Sequence, residues 1–510
     1  MGGVVIAAAA IGGVQPAKAG PITSFTPSDL VISTVSCSVG SSTCDSTGGG
    51  LDTAAPIALQ EFSLGTGGTS ASSVGSLTLP QTPSGANSAI SGEYGSASEG
   101  ILQDSVNGQY LTIMGYGVNA TTFNTAPSST YGTAALGQTT SLAPANQTGT
   151  VVTTVPRVVA LIGGNGSVDT TMALTGVINT NNPRSAATVD GSSFYVSGQG
   201  ASKTDPTQGV FYATDGATTA TPIDNSTDTR VVSIVNNGGG NTLYVSRDYN
   251  PPGSGGQNNT NVDGLTASGG GLPTSSAGVT DTHIVPPASP LSSGGNNGSI
   301  NLTASLANGV NNARIGSFVY LSPEQFFFAS PTVLYVADSG QPKNGNANKA
   351  ALGEGGLQKW VLTGGVWTLD YDLVAGLDLV NNANANAKTP TAAGVTGLFG
   401  LTGEDVDVNG VEEVELFATS YGLNELSPSY LYEITDLLSA TLPSQVTGES
   451  FTTLYAAPDG TSIRGVAFAP ESVPEPSTLA GLAAGLVGMG LMRPRVVGSP
   501  APSTGGAISA

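Results

Sequence analysis

The sequence predicts an all-β protein, a β-propeller of about six four-stranded blades, or seven, closed by strands from both ends of the chain. Three observations carry that expectation. The first is composition: the 510 residues include 72 Gly and 31 Pro, and only 10% are charged. Such a mixture disfavours long helices and favours short strands joined by turns. The second is a word repeated along the chain, a polar turn carrying Gly followed by an aromatic and β-branched strand that ends in small residues. The third is that each end of the chain supplies strands that the other lacks. The alternative fold is a pair of β-sandwiches.

The body begins with three apolar, β-rich stretches separated by Gly, Ser and Thr: Asp29–Val35, Pro56–Phe62 and Val74–Pro80. They read as a blade without its first strand. The repeated word then occurs at Val106–Tyr116, Val189–Ser197, Gly240–Ser246, Ser330–Ala337 and Asn409–Thr419. Its Asx-Gly suits a tight turn with positive φ. Further strands follow the copies, at Gly209–Ala213, Leu357–Leu362, Val366–Tyr371, Tyr430–Ile434 and Phe451–Tyr455. Ser462–Ala469 then reads as a first strand with no later partners. Paired with Asp29–Val35 it completes a blade and removes the exposed sheet edges.

Low-complexity stretches interrupt this body near 121–150, 250–301 and 381–393. Rich in Gly, Asn, Ser, Thr, Pro and Ala, they read as flexible loops on a propeller face. The domain reading is a partial signal peptide over 1–19, the propeller over 20–470, and a linker, sorting segment and tail over 471–510.

The formal net charge of −21 repels polyanions and argues against nucleic-acid binding. The apolar run Val4–Val14, with Ala17-Lys18-Ala19 before Gly20, reads as the later part of a secretory signal peptide, cleaved after Ala19. In an exported chain Cys37 and Cys44 are expected to form a disulfide stapling a small loop, with two free thiols as the alternative.

Few residues point to chemistry. His283 is the sole histidine and falls in the second low-complexity stretch, which leaves no nucleophile–base elbow and too few ligands for zinc. Asp405, Asp407 and Asn409, followed by Gly410, match the opening of a calcium loop, but position twelve is Leu416. Calcium is therefore the one cofactor candidate, against an acidic hairpin turn. Glu61 and Glu99 at strand edges are candidates for paired carboxylates. Trp360 and Trp367 suit either a sugar-stacking platform or a cross-strand core pair.

The C-terminal stretch Val473–Arg495 joins Pro474-Glu475-Pro476 to an apolar run, Leu479–Met492, closed by Arg493 and Arg495. A helix over those 14 residues spans roughly 21 Å. That is short of the ~30 Å hydrocarbon core. This order resembles the PEP-CTERM sorting tag. The resemblance implies an exosortase-type membrane peptidase as partner, transient inner-membrane contact, and residence in the cell envelope, on the surface or outside. Gly400–Gly403 (GLTG) and Arg464–Pro470 (RGVAFAP) are similar to YVTN-type surface propellers. Together these resemblances imply an exported binding or scaffolding protein that meets extracellular polysaccharide or envelope proteins. The alternative is a secreted, metal-dependent propeller hydrolase of lactonase or phytase type.

Overall fold

The computed structural model describes residues 20–37, 51–96, 98–146, 152–202, 204–249, 259–285, 299–301, 318–320, 322–340, 355–379, 394–422 and 427–471. The chain is all-β and forms a propeller-like ring. It opens with β1 (Gly20–Pro21), β2 (Leu30–Ser36), β3 (Ala54–Leu64), β4 (Ala71–Thr78), β5 (Ser91–Glu93), β6 (Gln103–Asp104) and β7 (Tyr110–Tyr116). Helices α1 (Ala120–Thr125) and α2 (Ser128–Tyr131) follow, then β8 (Arg157–Gly163), β9 (Val168–Asp169) and β10 (Ala173–Leu174). With the final strand of the chain these ten strands make one curled, eleven-stranded sheet.

Four separate four-stranded antiparallel sheets come next. The first is β11 (Pro183–Thr188), β12 (Ser193–Gly198), β13 (Gly209–Thr214) and β14 (Thr221–Asp224). The second is β15 (Val232–Asn236), β16 (Asn241–Tyr249), β17 (Asn259–Thr266) and β18 (Thr280–Val285). A two-stranded ribbon, β19 (Ser299–Asn301) with β20 (Phe318–Tyr320), stands apart. The third sheet is β21 (Pro323–Ser330), β22 (Val333–Asp338), β23 (Gly356–Thr363) and β24 (Val366–Leu373). The fourth is β25 (Val395–Val408), β26 (Val411–Gly422), β27 (Tyr430–Leu437) and β28 (Thr452–Ala456). The last strand, β29 (Thr461–Phe468), returns to the curled sheet and pairs antiparallel with β2, Leu30 opposite Phe468 and Ser36 opposite Thr461. The expected pairing of the two chain ends is therefore present, whereas four sheets plus one curled sheet stand where six or seven separate blades were expected.

All five copies of the repeated word fall on the second strand of a four-strand run, β7, β12, β16, β22 and β26, together with the turn before it. Hydroxyl residues within or at the end of the word have a physical role. Thr112 Oγ1 donates to Ala186 O at 2.5 Å, Ser197 Oγ to Arg230 O at 2.9 Å, and Thr419 Oγ1 to Arg464 O at 2.6 Å. Ser33 Oγ, at the matching place in β2, donates to Gly100 O at 2.5 Å. Each hydroxyl thus satisfies a buried carbonyl on the neighbouring run, where an unpaired group would cost about 1–3 kcal/mol.

The apolar core lies between sheets. Tyr335 and Leu357 of the third sheet pack with Leu398, Leu416 and Ile434 of the fourth. Leu30, Ile32 and Ile463 pack with Phe417 and Leu431. Strands covered on both faces explain why β2, for example, is buried from Leu30 through Val35, Ser33 and Thr34 included, rather than at alternate positions. Trp360 and Trp367 belong to this core, 2% and 9% exposed. Trp360 Nε1 donates to Gln358 Oε1 at 3.0 Å. They form no platform for a sugar.

The first low-complexity stretch is not a loose loop. Over its described part it carries α1 and α2, and Phe123, Tyr131 and Leu136 pack with Tyr116, Val118 and Val155. Asn119 caps α1, its Oδ1 accepting from Thr122 N at 2.8 Å. Thr and Ser dominate the composition, and they conceal these few anchoring apolar residues. The second stretch likewise supplies two whole strands, β17 and β18. Residues 381–393 lie outside the described residues.

Candidate functional site

A polar cleft of about 730 Å³ opens beside β5. Its lining includes Asp52, Glu93, Ser96, Gly137, Thr180 and Asn182. One wall is the packed insertion that follows α2; the other is the turn leading into β11.

Close backbone approach builds the floor. Gly115 sits where a Cβ would come within 2.7 Å of Ser91 O, so β5 and β7 approach closely only because that residue is Gly. Gly137 plays the same part at the mouth. A Cβ there would lie 2.5 Å from Glu93 Oε2 and 2.6 Å from Asn182 Oδ1. Instead the Gly137 backbone N–H is left to donate to Glu93.

Arg157 holds the two walls together. It is fully buried, and its guanidinium lies 4.8 Å from the centre of the Tyr116 ring. Its Nε donates to Ile178 O at 3.1 Å, Nη1 to Thr139 Oγ1 and Val155 O, and Nη2 to Thr139 O and Asn181 O. All five donors are spent on the walls and none on a carboxylate. Ile178 and Thr180, in the turn that Arg157 clamps, have φ of 51° and 52°, and Asp52 has φ of 64°. For β-branched residues this is an outlier region, at a cost of about 1–3 kcal/mol each. Strain of that kind gathers at sites where geometry is over-determined by function.

Two buried carboxyls, Glu93 and Glu99, lie close together, with Arg157 acting on both through charge and Arg464 on Glu99. Glu93 N donates to Glu99 Oε1. Burial, and then the charge of Glu99, push the Glu93 carboxyl up to about 8. Burial raises Glu99 to about 7. Burial also lowers Arg157 to about 10. Near neutrality Glu93 therefore holds a proton and is a donor as well as an acceptor. Asn182 orders the rim: its Nδ2 donates to Ser96 Oγ at 2.6 Å and Ser98 Oγ at 3.1 Å, and its Oδ1 accepts from Tyr116 OH at 3.2 Å. The cleft offers hydroxyls, amides and a neutral carboxyl beside Asp52. That is a surface suited to a polar, uncharged ligand, with an acid in reach of it.

The residues singled out from sequence are placed as follows. Glu99 belongs to this site but its partner is Glu93, not Glu61. Glu61 is buried elsewhere, with Oε1 accepting from Thr26 N at 2.6 Å. Asp405, Asp407 and Asn409 lie on the exposed hairpin of β25 and β26. Asn409 and Gly410 take φ of 59° and 84°, a two-residue turn between paired Val408 and Val411, and Asp407 Oδ1 accepts from Gly410 N at 2.8 Å. His283 lies on β18, in the sheet rather than on a loop. Gly20 starts β1, which runs parallel to β4. Cys37 is disulfide-bonded; Cys44, the only other cysteine, lies outside the described residues. Ala17 and Ala19 also lie outside them, as do Pro474, Glu475, Pro476, the apolar run, Arg493 and Arg495. Among the described residues no helix is long and apolar enough to cross a membrane.

Glu93, Asp52 and Arg157 escaped sequence reading because they are spread over some hundred positions with no spacing motif. The one sequence signal was Glu99, six residues after Glu93 in a stretch of Gly, Ser and Ala.

No protein-family model matches the chain, and no curated protein matches it. Among solved structures it is similar to an ancestral GH74 enzyme, at 11% identity and a TM-score of 0.22, over 81% of this chain and 42% of that one. The chain thus spans about two fifths of that enzyme's length. A likeness this distant carries no functional argument.

Proposed function

We propose that this is an exported propeller whose cleft binds a neutral, hydroxyl-rich ligand, a segment of extracellular polysaccharide, as an envelope or matrix binding protein. The observation that carries the reading is the lining. Hydroxyl, amide and protonated carboxyl groups are held in place by Arg157 at a site where strained backbone is maintained. Sugar hydroxyls both donate and accept, and such a wall pairs with them without leaving a charge buried. Binding of soluble oligosaccharides by calorimetry tests it. Glu93→Ala and Asn182→Ala should each weaken binding about tenfold, the loss of roughly one or two hydrogen bonds. Equal binding by both variants overturns the reading.

A second reading is a hydrolase, favoured by one observation: Asp52 and Glu93 both line the cleft, and Glu93 retains a proton to about pH 8. That is the pairing of an acid with a second carboxyl that glycoside cleavage uses. Release of reducing ends from polysaccharide, lost in Glu93→Gln, would select this reading over binding alone.

For the ring we propose six units. The strand neighbours run from β6 to β11 and β15, from β16 to β21, then through β25 to β29 and back to β6. On this count the curled sheet holds two units, β29-β2-β3-β4 and β6-β7-β8-β9. Export and sorting remain part of the proposal through the Pro474–Pro476 segment. Mass spectrometry of the mature C-terminus in the native host tests them, and an intact Ala510 on secreted protein would refute exosortase processing.

A further inference from the structure

Away from the cleft, the second sheet brings three ligand-type side chains together. His283 and Asp281 stand two residues apart on β18 and so point the same way. Asp263 on β17 is directly opposite His283. One ligand atom from each of the three lies within 4.8 Å of the others, the one such group among the described residues.

The arrangement around them resembles the outer shell of a metal centre. Arg247 Nη1 donates to Asp263 Oδ2 at 2.7 Å and to Asp281 Oδ2 at 2.8 Å. Its Nη2 donates to Asp224 Oδ2, on the preceding sheet, at 2.6 Å. The arginine therefore engages one oxygen of each aspartate. The other oxygen of Asp263 faces His283 Nδ1 at 2.6 Å. Ligating carboxylates in metal sites are commonly anchored in this way through their outer oxygen.

Charge points the same way. Three carboxylates converge on one guanidinium and one imidazole, and Asp263 is fully buried. A plain inter-sheet ion pair needs one aspartate, not three. A divalent cation with neutral imidazole as ligand would bring the group to zero. His283 and Asp281 keep 28% and 35% of their side chains exposed, so an ion can enter from solvent.

We propose that Asp263 Oδ1, His283 Nδ1 and the outward oxygen of Asp281 form a three-ligand site for a divalent transition metal of the zinc or manganese type, with Arg247 as its outer-shell donor. One nitrogen with two carboxylates suits such ions better than the all-oxygen preference of calcium or magnesium. The fourth position faces solvent, as in open sites. An ion bound there would tie β17 and β18 to Asp224 of the preceding sheet through Arg247.

The sole histidine makes the test clean. Untagged full-length chain, freed of metal by chelator, is titrated with ZnCl2 by calorimetry. Ring-labelled His283 is followed in parallel by NMR, with MgCl2 and CaCl2 as controls. One equivalent of Zn²⁺ with a shift of the His283 signals is expected. His283→Gln and Asp281→Asn, each checked for native circular dichroism, should weaken binding at least tenfold. Zn²⁺ binding that leaves the His283 signals unmoved, or is equal in His283→Gln, overturns the proposal, as does no binding at all. Should His283→Gln fail to fold, the NMR arm on the unaltered chain decides alone.

Discussion

Two buried cations, Lys359 and Arg157, each sit near buried acids and do opposite things. Lys359, 0% exposed, puts its donors on Asp436 Oδ2 at 2.7 Å, Tyr371 OH at 2.8 Å and Leu437 O at 2.8 Å. It joins the third sheet to the fourth. Tyr335 OH and Tyr371 OH add to the same carboxylate. The nearby Glu449 is driven up to about 9, by burial first and then by Asp436, so it keeps its proton near neutrality. Arg157 also has two acids nearby, yet all its N–H groups go to carbonyls and a hydroxyl. The acids beside it, Glu93 and Glu99, line or underlie a cleft. A buried cation bonded to its acid makes a closed staple. A cation used on backbone builds a wall and leaves the acids for a ligand or a proton.

The largest effect should come from Lys359→Met. It strands Asp436 in the interior and should cost about 3–5 kcal/mol. Urea denaturation reads it, and an unchanged midpoint would remove the staple from the comparison. Arg157→Lys comes next. It keeps the charge but loses the five-donor fork, and should cost about 2–3 kcal/mol through unsatisfied carbonyls. If charge were what mattered at Arg157, this variant would melt like the parent.

Glu93→Gln sharpens the contrast through pH. Folded Glu93 keeps its proton up to about 8, but the unfolded chain releases it near 4.5. Stability due to this group is therefore full below about 4.5 and is lost as pH climbs towards 8. Glutamine stays neutral throughout, so at pH 9 the variant should be more stable than the parent by on the order of 2 kcal/mol. Melting curves at pH 4 and pH 9 check this; a gap of the same size at both ends would contradict it. The smallest change in stability belongs to Gly137→Ala. Its Cβ should push Glu93 and Asn182 apart for about 1 kcal/mol. Oligosaccharide binding should fall much more than the melting temperature.

The sequence exposed the parts of the fold that repeat. Ser197 and Thr419 close their copies of the repeated word with a hydroxyl that stitches neighbouring runs, and Thr112, inside its copy, does the same. Short β-rich runs between Gly, Ser and Thr marked β2, β3, β4 and β29 for a similar reason: such signals are local. Sheet boundaries were less legible. The β3–β5 pairing fuses two four-strand runs through backbone hydrogen bonds, which no residue type announces. The cleft was hardest to read. Its strength lies in where Arg157 sends its donors, and a lone arginine before an apolar strand gives no hint of that. Phe123, Tyr131 and Leu136 were hidden for another reason: three anchors are enough to fold an insertion whose average composition looks disordered.

The seam between β2 and β29 also sets a clock. Ser36 and Thr461, whose hydroxyls meet at 2.9 Å, are 425 positions apart. At about 5–20 residues per second, β29 emerges roughly 20–85 s after β2. Throughout that interval β2 presents a bare, apolar edge that no earlier strand can cover. The nascent chain must therefore be shielded from its own kind for tens of seconds, whether by a holding partner or by staying unfolded. A seam that ends covered is reached only through a long period with an open edge, and premature termination anywhere before residue 461 leaves that edge of β2 without its partner.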